Sequence, residues 1–177
     1  MKVIVYMATT ANGYIATEDD DTAFVSSVEW KAFRSMAKKF GNLIVARRTY
    51  EIMVKDEELD GLESLMVCVV TSDQDFKSAA STHYAVTSPR KALEFLKSSG
   101  YTEALVSGGG RLNASFFKES LVDELYLDIE PVLFGKGINL LQQQDVTARL
   151  KLLGTKKLSA DEIQLHYQVL SSSEEKS

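Results

Sequence analysis

Apolar residues in the first two-thirds of the chain occur as short, unbroken runs. Runs of Val, Ile and Leu without polar alternation are typical of strands that are covered on both faces of a sheet. These runs are VIVYM (3–7), LIVA (43–46), LMVCVV (65–70) and ALV (104–106). Apolar residues at helical spacing occupy the stretches 26–40, 88–98 and 111–120. The alternation predicts an α/β sheet with crossover helices.

The last third of the chain has a different pattern. Leu125, Leu127 and Ile129 alternate with polar residues, and so do the apolar residues of 163–169. This alternation predicts half-exposed antiparallel strands. We therefore expect one domain over residues 1–170, with a mixed, mostly parallel central sheet and an antiparallel C-terminal edge suited to a homodimer. The tail 171–177 has no apolar residue and is predicted to be disordered.

Composition excludes several classes of protein. A net charge of -5 argues against nucleic acid as a partner, and no apolar run approaches the ~20 residues that span a membrane. The N-terminus lacks a signal peptide, so a cytoplasmic location is expected.

Cys68 lies in an apolar run and is predicted to be a buried thiol, and the two histidines offer no metal site. The acidic stretch 16–24 lacks the ligand spacing of a calcium loop and is predicted to be a solvated loop.

Three consecutive glycines, Gly108, Gly109 and Gly110, stand between a strand that ends at Ser107 and a helix. Glycines at such a turn let the backbone approach a ligand and direct free N–H groups toward it, which favours an anion. The stretch lacks the Gly-Lys-Ser/Thr ending of a P-loop, and Asn113 stands where the dinucleotide fingerprint needs a third glycine. The sequence therefore predicts a phosphate site outside a Rossmann domain.

A second strand, LIVA, runs directly into Arg47, Arg48 and Thr49. Two guanidinium groups and a hydroxyl at the C-terminal end of a strand suit phosphate binding at the mouth of an α/β sheet. The alternative is a solvated arginine pair at a helix start, which the helix dipole disfavours. A third strand ends in VVTSD, which alone indicates only a turn.

The order of these stretches carries a family resemblance. VIVYMATTANGYIA, VARRTYE, VVTSD, VSGGGRLNASFF and LVDELYLDIEPVLFGKG together resemble the dihydrofolate reductase-like family, in the branch that contains the reductase domain of riboflavin biosynthesis and stand-alone proteins. The resemblance covers residues 2–170. It implies a dihydrofolate reductase-like three-layer fold and an NADPH-dependent reductase that acts on a small heterocyclic substrate, pterin-like or pyrimidine-like, by hydride transfer to a C=N or C=O group.

The resemblance also assigns residues to NADPH. It places the pyrophosphate across the glycines, further phosphate contacts at the arginine pair, the 2′-phosphate beside Thr71 and Ser72, and the nicotinamide against the backbone of Ala8 and Ile15. Asp73 departs from the arginine often found in the family and weakens the preference for NADPH over NADH. The implied cofactor-binding residues are Ala8, Ile15, Ala46, Arg47, Arg48, Thr49, Thr71, Ser72, Ser107, Gly108, Gly109, Gly110, Arg111 and Leu112.

The proton donor is ambiguous in the sequence. Glu29 matches the helix carboxylate of dihydrofolate reductases, and a buried carboxylate with a raised pKa can donate a proton near neutral pH. Ser26 and Glu29 also have the spacing of a helix capping box, so a structural role is the alternative. Asp128 is a second catalytic candidate, with a solvated edge position as its alternative. The candidate substrate-binding residues are Ser27, which the resemblance matches to a substrate-contacting serine, and the aromatic residues Trp30, Phe33 and Tyr50, which are candidates to line a slot for a flat ring. The alternatives are a helix start for Ser27 and core positions for the aromatic residues.

Two further functions stay open at this point. One is a strict dihydrofolate reductase or the riboflavin-pathway reductase of 5-amino-6-ribosylamino-uracil phosphate. Asn12-Gly13-Tyr14 in place of Asp-Gly-Lys, and Ser107 in place of a glutamate, argue against the latter substrate. The other is a nucleotide-binding module without turnover.

Overall fold

The structure, a computed structural model, describes residues 1–142 and 145–170. An eight-stranded sheet and four helices form most of it, with a small two-stranded sheet beside them. The strands are β1 (Lys2–Thr10), β2 (Tyr14–Ala16), β3 (Asn42–Ala46), β4 (Met66–Val70), β5 (His83–Val86), β6 (Glu103–Val106), β7 (Glu124–Glu130), β8 (Ile138–Asn139), β9 (Leu150–Lys157) and β10 (Ile163–Val169). The helices are α1 (Ser27–Phe40), α2 (Arg47–Lys55), α3 (Pro89–Ser98) and α4 (Gly110–Lys118).

The strand order of the large sheet is β5-β4-β3-β6-β1-β7-β10-β9. The strands from β5 to β7 are parallel, whereas β10 pairs antiparallel with both β7 and β9. The predicted mixed, mostly parallel sheet with an antiparallel C-terminal edge is therefore confirmed. The small sheet pairs β2 with β8 and lies outside the large one.

Helices cover both faces of the sheet and produce two cores. On one face, Val5 and Val106 pack with Leu96 of α3 and Phe116 of α4. On the other face, Tyr6, Leu43 and Val67 pack with residues of α1 and α2, including Phe33 and Met53. Because successive side chains of a strand point to opposite faces, each central strand contributes to both cores. The result is the predicted three-layer arrangement.

The helices differ in how they begin. Ser26 caps α1 by accepting hydrogen bonds from the Val28 and Glu29 N–H groups, and Ser88 caps α3. The capping positions before α2 and α4 are Ala46 and Gly109, which offer no side-chain oxygen to the first turn. The first N–H groups of these two helices are therefore left to other partners.

Within the described ranges, every helix is too short or too polar to cross a membrane. The predicted disordered tail, 171–177, lies outside the described residues.

Candidate functional site

A cleft of about 520 Å³ opens at the C-terminal ends of β1, β3 and β6, where an open α/β sheet usually binds its ligand. It is bounded by the glycine turn, the first turns of α2 and α4, the face of α1 and the acidic stretch 16–24. Predicted residues that line it are Ala8, Ile15, Glu29, Trp30, Phe33, Ala46, Arg48, Thr49, Ser107, Gly108, Gly109, Gly110, Arg111 and Leu112.

One end of the cleft is formed by two helix N-termini. The Ala46 N–H at the start of α2 donates to the Gly108 carbonyl at 2.8 Å, which ties this turn to the glycine turn before α4. The N-terminus of a helix carries partial positive charge and free N–H donors. Because both helices begin without a side-chain cap, this end of the cleft, here called the amide end, is suited to bind phosphate groups.

Close contacts explain why each of the three positions is occupied by glycine. Gly108 has a φ of 87°, in the left-handed region, and a Cβ there would lie 3.2 Å from the Met7 side chain. At Gly109 a Cβ would lie 3.2 Å from Thr49 Oγ1, at the meeting point of the two helix N-termini. At Gly110 a Cβ would collide with the Asn139 carbonyl oxygen of β8. The triplet therefore combines ligand access with close packing of the backbone.

The two arginines, predicted to act as a pair, lie on different sides of α2. Arg48 lines the cleft and forms an ion pair with Asp20. Arg47 points away, donating from Nε to Glu51 Oε1 at 2.7 Å and from Nη1 to Asp73 Oδ2 at 2.6 Å. Of this pair, Arg48 and not Arg47 therefore lies where it can contact a ligand in the cleft.

A second, shallower depression of about 370 Å³ contains the Arg47–Asp73 ion pair. Thr71 lies beside it and accepts the Asp73 N–H on Oγ1 at 3.0 Å, and Ser72 is exposed. Neither Thr71 nor Ser72 lines the cleft. Their assignment to the 2′-phosphate stays a prediction.

Glu29 lies in the wall of the cleft and is 4% exposed. The Ser26 N–H that a capping box would give to Glu29 donates instead to Glu130 Oε1 at 3.0 Å. Glu29 therefore does not complete a capping box, and its carboxyl group is left to the cleft. Burial raises the pKa of Glu29 to about 8, and the nearby carboxylates of Asp128 and Glu130 contribute.

Asp128 lies behind the cleft wall. It is 2% exposed and accepts hydrogen bonds from the Tyr6 hydroxyl at 2.5 Å and from Gln164 Nε2 at 2.8 Å. The alternative of a solvated edge position is wrong, because β10 covers this strand on its outer side. Asp128 does not line the cleft and acts on a ligand there only through its charge.

The four candidate substrate residues separate into two pairs. Trp30 and Phe33 line the cleft, with their rings edge to face at a centroid distance of 5.6 Å. Tyr50 is buried outside it, where its hydroxyl contacts His83 Nδ1 at 2.9 Å. Ser27 is exposed at the first position of α1 and lies outside the cleft.

Sequence reasoning missed several lining residues. Ile52 and Met53 follow Arg48 and Thr49 by one helical turn, so helical spacing is the signal that could have found them. Most of the acidic stretch 16–24 is a loop with exposed or half-exposed residues, as predicted, and Glu18, Asp20 and Thr22 of this loop also line the cleft. Other lining residues not predicted are Met7, Ala16, Val25, Glu58, Gly137, Ile138 and Gln142.

A family model described as the RibD C-terminal domain matches residues 1–163. The chain belongs to this family. The matched residues include every residue that lines the cleft and most of the eight-stranded sheet, and the match confirms the family resemblance of the sequence.

Three known proteins are similar over nearly the whole chain. The uncharacterized protein YwjB of Bacillus subtilis (strain 168) is 25% identical over 169 residues, which are 94% of this chain and 97% of that protein. A Shewanella sp. PV-4 protein named for riboflavin biosynthesis has a TM-score of 0.79 at 22% identity, covering 97% of this chain and all of that chain. Dihydrofolate reductase from Enterococcus faecalis has a TM-score of 0.70 at 16% identity, covering 96% of this chain and 97% of that chain. The dihydrofolate reductase-like fold is thereby confirmed.

Proposed function

We propose that the protein is an NADPH-dependent reductase that transfers a hydride to a C=N or C=O carbon of a small heterocyclic substrate, pterin-like or pyrimidine-like. One observation carries the proposal. Two uncapped helix N-termini meet at one end of the cleft, and a buried carboxyl group with aromatic neighbours lies in the same cleft. The first feature fits a dinucleotide, and the second fits proton delivery to a flat ring.

The amide end fits the phosphates of NADPH. The first-turn N–H groups of α2 and α4 offer donors, and Arg48 and Arg111 offer positive charge. Any side chain at Gly109 would fill the space beside Thr49 that a phosphate needs. The Enterococcus faecalis dihydrofolate reductase of the same fold was solved as a complex with NADP(H), which supports this assignment.

Glu29 would be the proton donor. NADPH, when bound, supplies the hydride, and the chain has to supply a proton to the reduced group. With a pKa raised to about 8 by burial, the carboxyl group of Glu29 holds its proton at neutral pH. Trp30 and Phe33 would flank the ring and keep water from the reacting carbon.

Calorimetric titration of NADPH tests the cofactor site. We expect R48A to weaken NADPH by about tenfold or more, since it removes the guanidinium group that lines the cleft. R47A is the matched control, because Arg47 is held by Glu51 and Asp73 outside the cleft and should matter less. G109D should abolish binding in a folded protein. Unchanged affinity in a folded G109D variant would contradict the assignment.

The same protein, saturated with NADPH, tests turnover. Loss of NADPH absorbance with dihydrofolate would indicate a strict dihydrofolate reductase, and loss with the ribosylamino-uracil phosphate would indicate the riboflavin-pathway reaction. A wider set of carbonyl and imine heterocycles then samples the substrate class. NADPH binding without turnover across the set would favour a nucleotide-binding module. NADH titrated in parallel tests the preference between NADPH and NADH. This preference is open because Asp73 stands where the family often has an arginine, and Asp73 pairs with Arg47.

We also propose a homodimer that forms through the C-terminal edge of the sheet. Strand β9 ends the sheet and has no partner on its outer side among the described strands. Leu150, Leu152, Leu153 and Ile163 are exposed there, with Leu152 at 53%. An unpaired edge with exposed leucines is suited to bind a second copy of the chain.

A further inference from the structure

The acidic stretch 16–24 forms part of the cleft wall, but its hydrogen bonds are mostly within itself. The Thr17 N–H donates to the Asp21 carbonyl at 3.0 Å, and the Asp21 N–H donates to Thr17 Oγ1 at 3.0 Å. The Asp20 N–H donates to the Thr17 carbonyl at 3.1 Å. Where the structure describes the chain, one polar side-chain contact joins this stretch to the rest of the protein, and it is the ion pair of Asp20 with Arg48.

Asp20 has an unfavourable conformation and an unfavourable environment. Its φ of 65° lies in the left-handed region, which residues other than glycine adopt infrequently. Its side chain is 15% exposed, and the paired oxygen, Oδ2, is buried and accepts no hydrogen bond from the described residues. Burying a carboxylate oxygen without hydrogen-bond donors costs hydration energy. Attraction to Arg48 is therefore what holds this carboxylate in the cleft.

Arg48 is also the residue that the proposed function assigns to the cofactor phosphates. It belongs to the first turn of α2, at the amide end, and its side chain is 75% exposed. Its Nη2 atom faces the Asp20 carboxylate. Carboxylate and phosphate groups carry charge of the same sign and use the same guanidinium donors. Asp20 thus occupies a donor that a phosphate ligand would use.

We propose that Asp20 is an internal competitor of the ligand: it holds the acidic stretch 16–24 closed on Arg48, and a phosphate group that binds at the amide end displaces it. The inference rests on the proposed function, whose cofactor carries such phosphates. Pyrophosphate carries more charge than a carboxylate and can bind a guanidinium group through two hydrogen bonds, so it is favoured in the exchange. Because Glu18 and Thr22 line the cleft on the same stretch, displacement of Asp20 also opens this wall.

Calorimetric titration of inorganic pyrophosphate and of NADPH tests the competition in the parent protein and in D20N. Asn matches the shape of Asp, tolerates a positive φ and carries no charge. We expect D20N to bind both ligands about fivefold more tightly, the factor that corresponds to a surface ion pair which the ligand no longer has to break. D19N is the matched control, because Asp19 is exposed and does not line the cleft, and it should change either affinity by less than about twofold.

A double-mutant cycle locates the effect at the ion pair. Without the guanidinium group nothing holds Asp20 in the cleft, so adding D20N to R48A should improve binding by less than about twofold. Weaker binding by folded D20N than by the parent would contradict the inference, since it would show that Asp20 orients Arg48 toward the phosphate. An equal improvement with and without Arg48 would contradict it as well, because the carboxylate would then act independently of the ion pair.

Hydrogen exchange of residues 16–24 measures the displacement itself. A stretch that leaves the cleft should exchange its amide hydrogens faster when pyrophosphate is bound than in the free protein. In D20N, exchange should be fast without any ligand. Unchanged or slower exchange in the parent with pyrophosphate bound would contradict the displacement.

The outcomes separate the two proposals. If pyrophosphate binds more tightly to D20N than to the parent but NADPH binds neither protein, the proposed cofactor is wrong and the competition stands. If NADPH and pyrophosphate bind parent and D20N with the same affinity, the competition is wrong and the cofactor stands. If neither ligand binds either folded protein, the amide end is not a phosphate site and both proposals are wrong.

Discussion

Replacing Glu29 with Gln should stabilise the fold at alkaline pH and leave its stability unchanged at acid pH. Glu29 has a pKa of about 8 in the folded protein against 4.5 for an exposed glutamate. Between these values the unfolded chain has lost the proton and the folded chain keeps it. The folded state therefore binds more protons, and the contribution of Glu29 to stability falls as the pH rises through this window. Gln at this position has nearly the same shape and does not titrate.

The displacement from 4.5 to about 8 corresponds to about 5 kcal/mol, reduced to about 3 kcal/mol once water enters the cleft and solvates the ionised carboxylate. Most proteins of this size unfold with about 5–15 kcal/mol, so the effect is large. Urea unfolding of parent and E29Q at a series of pH values measures it. The difference in unfolding free energy should be near zero at about pH 4 and reach its full size above about pH 8.

The control is E18Q, which removes the same charge from an exposed position of the same cleft. Because water solvates an exposed carboxylate, E18Q should change the unfolding free energy by less than about 1 kcal/mol at the alkaline pH where E29Q has its full effect. A constant difference for E29Q across the whole range would refute the reasoning, since it would mean that burial does not raise the pKa of Glu29. Loss of stability at every pH would instead show that the carboxylate has a structural partner.

Three further predictions concern packing, reactivity and assembly. G110A should lower the unfolding free energy by about 1–3 kcal/mol in urea because its Cβ collides with the Asn139 carbonyl, whereas G135A, with open space around the Cβ, should not share this collision; equal losses would contradict the packing. The thiol of Cys68 is buried and its pKa is raised to about 12, so Ellman's reagent should react with it only after unfolding, and rapid reaction in native protein would contradict its burial. L152E should convert the proposed homodimer to monomer in light scattering, and an unchanged dimer mass would exclude the β9 edge as the interface.

The sequence predicts the centre of the sheet better than its margins. Strands β1, β3, β4 and β6 are buried on both faces, so their apolar runs are unbroken and easy to recognise. Strand β9 lies at the edge of the sheet and is exposed along most of its length. Because neither face of it is buried, its sequence does not alternate between apolar and polar residues. The prediction therefore missed β9, although β10 beside it was found.

The candidate site shows the same limit for single side chains. The sequence placed Arg47 and Arg48 together, but consecutive helical residues point about 100° apart, and only the start of α2 decides which one faces the cleft. Whether Glu29 completes a capping box is decided by Glu130, which accepts the hydrogen bond from the Ser26 N–H although it lies 104 positions away along the chain. A contact of this separation follows from the pairing of β1 with β7 and not from local sequence.

The burial of Glu29 links the proposed function to the stability of the fold. Burial above all, and then the carboxylates of Asp128 and Glu130 behind the wall, make an ionised Glu29 unfavourable, and this raises the pKa of Glu29 enough to favour its protonated form at neutral pH. A glutamine there would relieve the strain on the fold and would also remove the proton that reduction requires. The uncapped helix N-termini carry the opposite partial charge and favour phosphate groups at the amide end. In the proposed function, the dinucleotide would therefore bind at the amide end and leave the protonated carboxyl group of Glu29 for the substrate ring.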